Sequence, residues 1–188
     1  MMKFSLALFL FFGCSAPKTS NFNVNQFSGI DLDGKLVELG KISTPNLVLN
    51  VYSPSCVPCY KEIPTLNYLY RELEKTGLGK LYIAVDPFVV LEDAESLNIE
   101  SREKKTLEVM QEEVKKRNIQ AKVLVMKPEF RITPQGGLIT GTPETLLFRT
   151  DPLRLYYNFI GSICEKTREE DIENDSKVKF FKKLVGGI

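Results

Sequence analysis

The sequence predicts an α/β domain with a mixed central sheet, flanking helices, an N-terminal β-hairpin and an inserted helix. Three observations carry this expectation. Asn46-Leu-Val-Leu-Asn-Val-Tyr52 and Leu81-Tyr-Ile-Ala-Val85 are nearly continuous apolar runs of strand length, the pattern of strands covered on both faces. Between them, Leu66, Leu69, Tyr70 and Leu73 recur at helical spacing in a segment from Val57 to about Lys75, which gives strand–helix–strand, the unit of a parallel sheet. Further on, Glu144 to Arg149 and Arg154 to Ile160 form two strand-like runs turned at Thr150-Asp151-Pro152, a paired hairpin.

The remaining elements follow in chain order. Met1-Met2-Lys3 places one positive charge before the apolar run Phe4 to Phe12, and Gly13-Cys14-Ser15 comes next. The run is far short of the ~20 residues that a membrane-spanning helix needs and suits the core of a signal peptide. Its ending, Phe11-Phe12-Gly13-Cys14, resembles a bacterial lipoprotein signal, in which cleavage precedes the cysteine and the cysteine takes the lipid. Residues 1–13 are therefore expected to be a signal peptide with Cys14 the lipidation site, plain secretion and an uncleaved hydrophobic start being the alternatives. Residues 14–26 are polar and suit a tether, leaving 27–188 as the folded domain.

That domain opens with alternation on either side of Asp33-Gly34, a strong hairpin signal. After the second apolar strand, residues 87–102 are acidic and loop-like. Glu103 to Arg117 is a charged helix with an apolar stripe at Leu107, Met110 and Val114, and Ala121 to Met126 is a strand. A loop punctuated by Pro134, Gly136, Gly137, Gly141 and Pro143 follows. Beyond the C-terminal hairpin, residues 165–175 are expected to be a solvated acidic connection. Lys177 to Val185 is the last helix, with Val178, Phe181, Leu184 and Val185 inward.

Composition removes several kinds of chemistry. The 188 residues carry 25 basic and 24 acidic side chains, a net charge of +1, without the basic excess that phosphate neutralisation requires, so no nucleic acid is expected as a partner. Histidine is absent. That excludes Ser-His-Asp and Cys-His nucleophile activation in their usual forms, and with them Cys/His zinc sites and haem on a proximal histidine. No metal and no cofactor are expected.

The cysteines sort by role: Cys14 to the lipid, Cys164 alone, and Cys56 and Cys59 three residues apart. A loop this small gains little as a structural staple, because that stabilisation grows with loop length. With Cys56 at the end of the central strand and Cys59 in the first turn of the next helix, the sulfurs are neighbours. The orphan N–H groups of the helix start then favour a thiolate on Cys56, the attacking species in disulfide exchange. Cys59, deeper in the helix, is placed to resolve the mixed disulfide. Pro58 fits an early helical position, where its missing N–H costs nothing.

Asn50-Val-Tyr-Ser-Pro-Ser-Cys-Val-Pro-Cys-Tyr-Lys-Glu-Ile-Pro64 resembles the active-site segment of thioredoxin-like thiol–disulfide oxidoreductases of the TlpA/ResA type. Cys56, Pro58, Cys59, Glu62 and Pro64 fill that family's pattern. Gly141-Thr-Pro-Glu-Thr-Leu-Leu-Phe148 resembles its cis-proline segment, and together the likeness covers roughly residues 27–163. The resemblance implies a thioredoxin-like fold, a redox-active Cys56–Cys59 disulfide, and a cis Thr142–Pro143 bond facing it. It also implies a tuning or proton-transfer role for Glu62. The expected function is reduction of protein disulfides in an extracytoplasmic compartment by a monomer lipid-anchored in a bacterial cell envelope. That monomer would face the periplasm and be re-reduced by a membrane electron donor. The chain departs from the family in places: Ser55 stands where it usually has Trp, the chain has no Trp at all, and the loop 127–141 and the acidic stretch 165–175 have no clear counterpart. The rival readings are a thiol peroxidase of the same fold and a non-enzymatic lipoprotein module that binds a partner.

Overall fold

The computed structural model describes residues 24–135 and 137–186. The expected signal peptide and Cys14 lie outside the described residues, as does most of the tether. The tether's last three residues do not: Val24–Gln26 forms a 3-10 turn with Val24 buried, so packing begins before residue 27.

Seven strands form one mixed sheet in the order β2-β1-β5-β4-β3-β6-β7. They are β1 (Ser28–Asp31), β2 (Leu36–Glu38), β3 (Asn46–Val51), β4 (Gly79–Val85), β5 (Lys122–Met126), β6 (Glu144–Thr150) and β7 (Leu153–Ile160). β3, β4 and β5 run parallel, while β2, β1, β6 and β7 join antiparallel. The parallel strands are linked through helices: α1 (Val57–Lys61) and α2 (Ile63–Thr76) after β3, then α3 (Pro87–Val90) and α4 (Ile99–Arg117) after β4. Two more, α5 (Glu169–Glu173) and α6 (Ser176–Val185), close the described chain.

Every side chain of β3 is buried, and alternate residues serve opposite faces as strand geometry requires. Val48 and Tyr52 join the cluster formed with Leu66, Leu69 and Leu73 of α2, Met110 of α4, Ile172 of α5, and Val178 and Phe181 of α6. Leu47, Leu49 and Val51 face the other way, onto Val24, Phe27, Leu39, Phe130 and Ile139. The helices thus gather on one face. The second is covered by 3-10 turns and by the loop after β5, which is why that loop carries buried apolar residues.

Two stretches differ from the expected loops. Residues 87–102 are largely helical. Asp86 caps α3 by accepting from the Phe88 N–H at 3.0 Å, and Asn98 caps α4 by accepting from the Ser101 N–H at 2.8 Å. This cap starts α4 four residues before the expected Glu103. The acidic stretch 165–175 contains α5, pinned by buried Ile172. Glu169, Glu170 and Asp171 fall in its first turn, where negative charge meets the positive end of the helix.

Asn46 ties the sheet to the last helix. Its Nδ2 donates to the carbonyls of Leu78 at 2.6 Å and Val185 at 3.0 Å. Its Oδ1 accepts from Arg149 and from the Tyr156 hydroxyl. Tyr156 reaches it because the β6–β7 register shifts between Leu147 and Phe148, making Tyr156 an extra residue of β7. Asn46→Ala orphans buried acceptors and an arginine together, so unfolding in urea should show a loss of about 2–4 kcal/mol.

Candidate active site

β3 delivers the first cysteine. Beyond Val51, the Tyr52 N–H still bonds the Ala84 carbonyl at 3.0 Å, and the Ser53 carbonyl then accepts from the Cys56 N–H at 3.1 Å. Cys56 is the N-cap of α1, with extended backbone, and its Sγ accepts from the Cys59 N–H at 3.3 Å. Pro58 occupies the first turn, where no N–H is needed. Cys56 and Cys59 are joined as a disulfide with their Cα atoms 5.3 Å apart. Cys56 is half-buried and Cys59 fully buried, while Ser55, Val57 and Pro58 form an exposed rim. A reduced Cys56 sulfur in this position is reachable and faces helix-start N–H groups, the setting that favours a thiolate.

α1 continues into α2 through Glu62, whose N–H bonds the carbonyls of Pro58 and Cys59. Pro64 lies in the first turn of α2, and its missing N–H accounts for the break between the two segments. The Glu62 side chain turns inward and is fully buried. One carboxylate oxygen accepts from the Ile163 N–H at 2.5 Å, the other from Asn50 Nδ2 at 3.3 Å. Asn50 also donates to Thr145 Oγ1 at 3.0 Å, its partner in the β3–β6 register. Burial raises the carboxyl pKa to about 7, against the lowering effect of the Ile163 and Asn50 hydrogen bonds. The Glu62 side chain is thus internal, one helical turn from Cys59.

Thr142 and Pro143 lie just before β6. Their peptide bond is cis, and so is Asp151–Pro152 in the β6–β7 turn. Glu144 pairs with Val51, so Pro143 reaches the sheet at the end of β3 from which the cysteine loop departs. The Pro143 carbonyl accepts from the Gly161 N–H at 2.9 Å, and the next residue, Ser162, donates through Oγ to the Pro58 carbonyl at 3.5 Å. The cis-proline turn and the cysteine helix therefore meet at one Gly161–Ser162 turn.

Sequence reasoning missed three supporting side chains. Glu144 is buried; it accepts from the Thr140 N–H at 2.8 Å and from Asn158 Nδ2 at 2.9 Å, holding the segment before Pro143 against β7. Glu113 of α4 accepts from the Tyr52 hydroxyl at 2.7 Å and from Arg117 Nε at 3.0 Å. The Arg117 guanidinium in turn lies 4.1 Å over the Tyr60 ring. Burial, with Glu113 beside it, pushes the Tyr52 hydroxyl well above the usual phenol range. The signal for Glu113 and Arg117 was an i, i+4 acid–base pair, which on a charged helix looks like any solvated face. Cys164 is buried and free, its carbonyl accepting from Thr65 Oγ1 at 2.9 Å. Among the described residues, no cluster of three or more His, Cys, Asp or Glu could hold a metal ion.

The buried carboxyl yields a pH signature. With a folded pKa of about 7 against an ordinary 4.5, the folded state binds the extra proton. The contribution of Glu62 to stability is fully present below about pH 4.5 and is lost as pH rises through about 7. At about 1.4 kcal/mol per unit, the loss is roughly 3 kcal/mol. Glu62→Gln should remove this part of the slope in urea titrations across that window. An unchanged slope would show that Glu62 ionises normally.

No family model matches the chain. Over 56 residues it is 34% identical to the thiol-disulfide oxidoreductase ResA of Bacillus thuringiensis (strain Al Hakam) and to that of Bacillus anthracis. The match spans 30% of this chain and 32% of those relatives, about a third of the length of each. Among solved structures, the fold matches a thiol:disulfide interchange protein from Bacteroides sp. with a TM-score of 0.54 and 17% identity, covering 86% of each chain. It matches the thioredoxin domain of a thiol-disulfide oxidoreductase from Bacteroides vulgatus at 0.55 and 17% identity, covering 88% of this chain and 97% of that one. A DsbF homologue from Corynebacterium diphtheriae matches at 0.55 and 16% identity, covering 86% and 83%. At these identities the structural likeness is one of fold. The chain has a thioredoxin-like fold and resembles, over its matched stretch, thiol–disulfide oxidoreductases of the TlpA/ResA type.

Proposed function

We propose that this protein is a thiol–disulfide oxidoreductase that reduces protein disulfides in an extracytoplasmic compartment. The observation that carries the proposal is the Cys56–Cys59 pair itself: a reachable sulfur at a helix start, disulfide-bonded to a fully buried one a turn deeper. In the reduced protein, the Cys56 thiolate attacks one sulfur of a substrate disulfide. A mixed disulfide forms and the other substrate sulfur leaves as a thiolate. Cys59 then attacks Cys56 Sγ, the second substrate thiol departs, and the protein is left oxidised by two electrons. Glu62, with a pKa near neutrality, takes up and returns the Cys59 proton. Thr142 and Pro143 present backbone to the incoming peptide, which pairs with it as an added strand. A membrane electron donor restores the dithiol. Residues 1–13 direct export, lipid on Cys14 anchors a monomer in a bacterial cell envelope facing the periplasm, and the polar residues that follow, up to the packed turn at Val24, tether the domain.

Two tests address this. Iodoacetamide should label Cys56 of the reduced protein before Cys59, and Cys59→Ser should accumulate mixed disulfides with substrate proteins that Cys56→Ser does not form. Faster labelling of Cys59 would reverse the assignment, and a Cys56→Ser strain with a wild-type phenotype would favour a partner-binding module. Separately, mass spectrometry of protein from a bacterial host should find the mature chain beginning at an acylated Cys14. A free mature N-terminus elsewhere removes the lipid anchor and leaves the redox chemistry intact.

A further inference from the structure

Among the described residues β7 forms one edge of the sheet, and an open groove of about 250 Å³ with a mixed polar and apolar lining runs along it. Tyr157, Phe159, Ile160 and Phe180 supply its apolar lining, and Asn158 of β7 with Ser176 and Lys177 of α6 its polar lining. Three of its side chains are unusually exposed for their type: Ile160 at 73%, Phe180 at 41% and Tyr157 at 37%. The rings are nevertheless ordered against one another. Tyr157 and Phe180 meet edge-on with centroids 5.2 Å apart, and Phe159 and Phe180 at 6.0 Å.

The groove is continuous with the cysteine site. Ile160 precedes Gly161, whose N–H holds the Pro143 carbonyl. Ser162 touches the Pro58 carbonyl through Oγ and accepts Lys177 Nζ on its own carbonyl at 2.9 Å. The Gly161–Ser162 turn thus gives a path from the cysteine helix to Ile160 and Lys177 at the groove. The charges along this path are asymmetric. Glu165 lies at the cysteine end, accepting from Ser162 Oγ at 3.0 Å. On α6, Lys177 and Lys183 lie one turn before and one turn after Phe180, are exposed, and have no carboxylate within ion-pair distance among the described residues.

We propose that this groove is a second contact site for the substrate: it holds an extended segment with aromatic or branched apolar side chains a few residues from the reacting cysteine, followed by carboxylates. The proposal rests on the thiol–disulfide reading and gives it a substrate class. The outer edge of β7, unpaired among the described residues, supplies main-chain hydrogen bonds, Tyr157, Ile160 and Phe180 take the apolar side chains, and Lys177 and Lys183 meet the acids.

Three synthetic peptides test it, each with one cysteine capped as a mixed disulfide with glutathione. One carries an aromatic-then-acidic flank, one an aromatic-then-lysine flank, and one a Gly/Ser flank. In a single turnover the reduced protein becomes Cys56–Cys59 disulfide while the peptide thiol and glutathione are released. The aromatic-acidic peptide should be reduced roughly tenfold faster than the Gly/Ser peptide at low concentration. Ile160→Ser and Phe180→Ser should each remove most of that advantage, and Lys183→Glu should shift preference toward the lysine peptide. Ile160 is largely solvent-exposed, so its variant reads out even where Phe180→Ser fails to fold. Dithiodipyridine, too small to reach the groove, should be reduced at the same rate by all variants. Failure of the wild-type protein to reduce dithiodipyridine defeats the redox reading itself. Reduction of dithiodipyridine with no discrimination among the peptides overturns the groove alone.

Discussion

The structure depends on the complete burial of β3. A strand with no exposed side chain must be covered on both faces, and this one also carries two asparagines that need partners inside. Asn46 finds them in the Leu78 and Val185 carbonyls and in Arg149, which fixes the C-terminal end of α6 over the start of the strand. Asn50 finds them for its Nδ2 alone, in Glu62 and Thr145, which fixes the start of α2 over the other end while its Oδ1 is left unpaired among the described residues. Apolar packing would tolerate some sliding of these helices. Directional hydrogen bonds at both ends of one strand do not.

The same arrangement sets the electrostatics of the cysteine site. Glu62 sits between a strand asparagine and a backbone N–H, with no solvent access. Two hydrogen bonds favour its charged form, yet desolvation outweighs them and leaves the carboxyl poised near neutrality. With no histidine in the chain, no other side chain apart from the cysteines has an ordinary pKa close to that range. The proton inventory of the site near neutral pH therefore reduces to one carboxyl and two sulfurs.

Much of this was legible in the sequence. Continuous apolar runs announced β3 and β4, helical spacing announced α2 and α6, and Asp33-Gly34 announced the first hairpin. The Cys-Val-Pro-Cys segment and Thr142-Pro143 were legible because their chemistry is local. What escaped was everything defined by a partner distant in the chain. Glu144 looked like the first residue of a strand, yet it holds Thr140 and Asn158. Glu113 and Arg117 looked like solvent-facing charges, yet they reach Tyr52 and Tyr60. α5 was hidden because a single apolar residue, Ile172, anchors it, too little to create a period. The early start of α4 turned on Asn98, a cap within an acidic stretch whose overall composition favoured a loop.

Tyr52 and Tyr60 bracket the cysteine loop, and both are held by residues one turn apart on α4, one by Glu113 and one by Arg117. The loop is thus closed at its base by contacts that do not involve sulfur. Cleaving a disulfide ordinarily releases chain entropy, because the ring it closed can open. Here the ring stays closed by other means, so reduction frees little backbone motion. The two thiols of the reduced protein are kept beside each other at a high effective concentration. In the proposed reaction, the attack of Cys59 on a mixed disulfide at Cys56 is then intramolecular from a preset geometry, with α4 supplying the contacts that preset it.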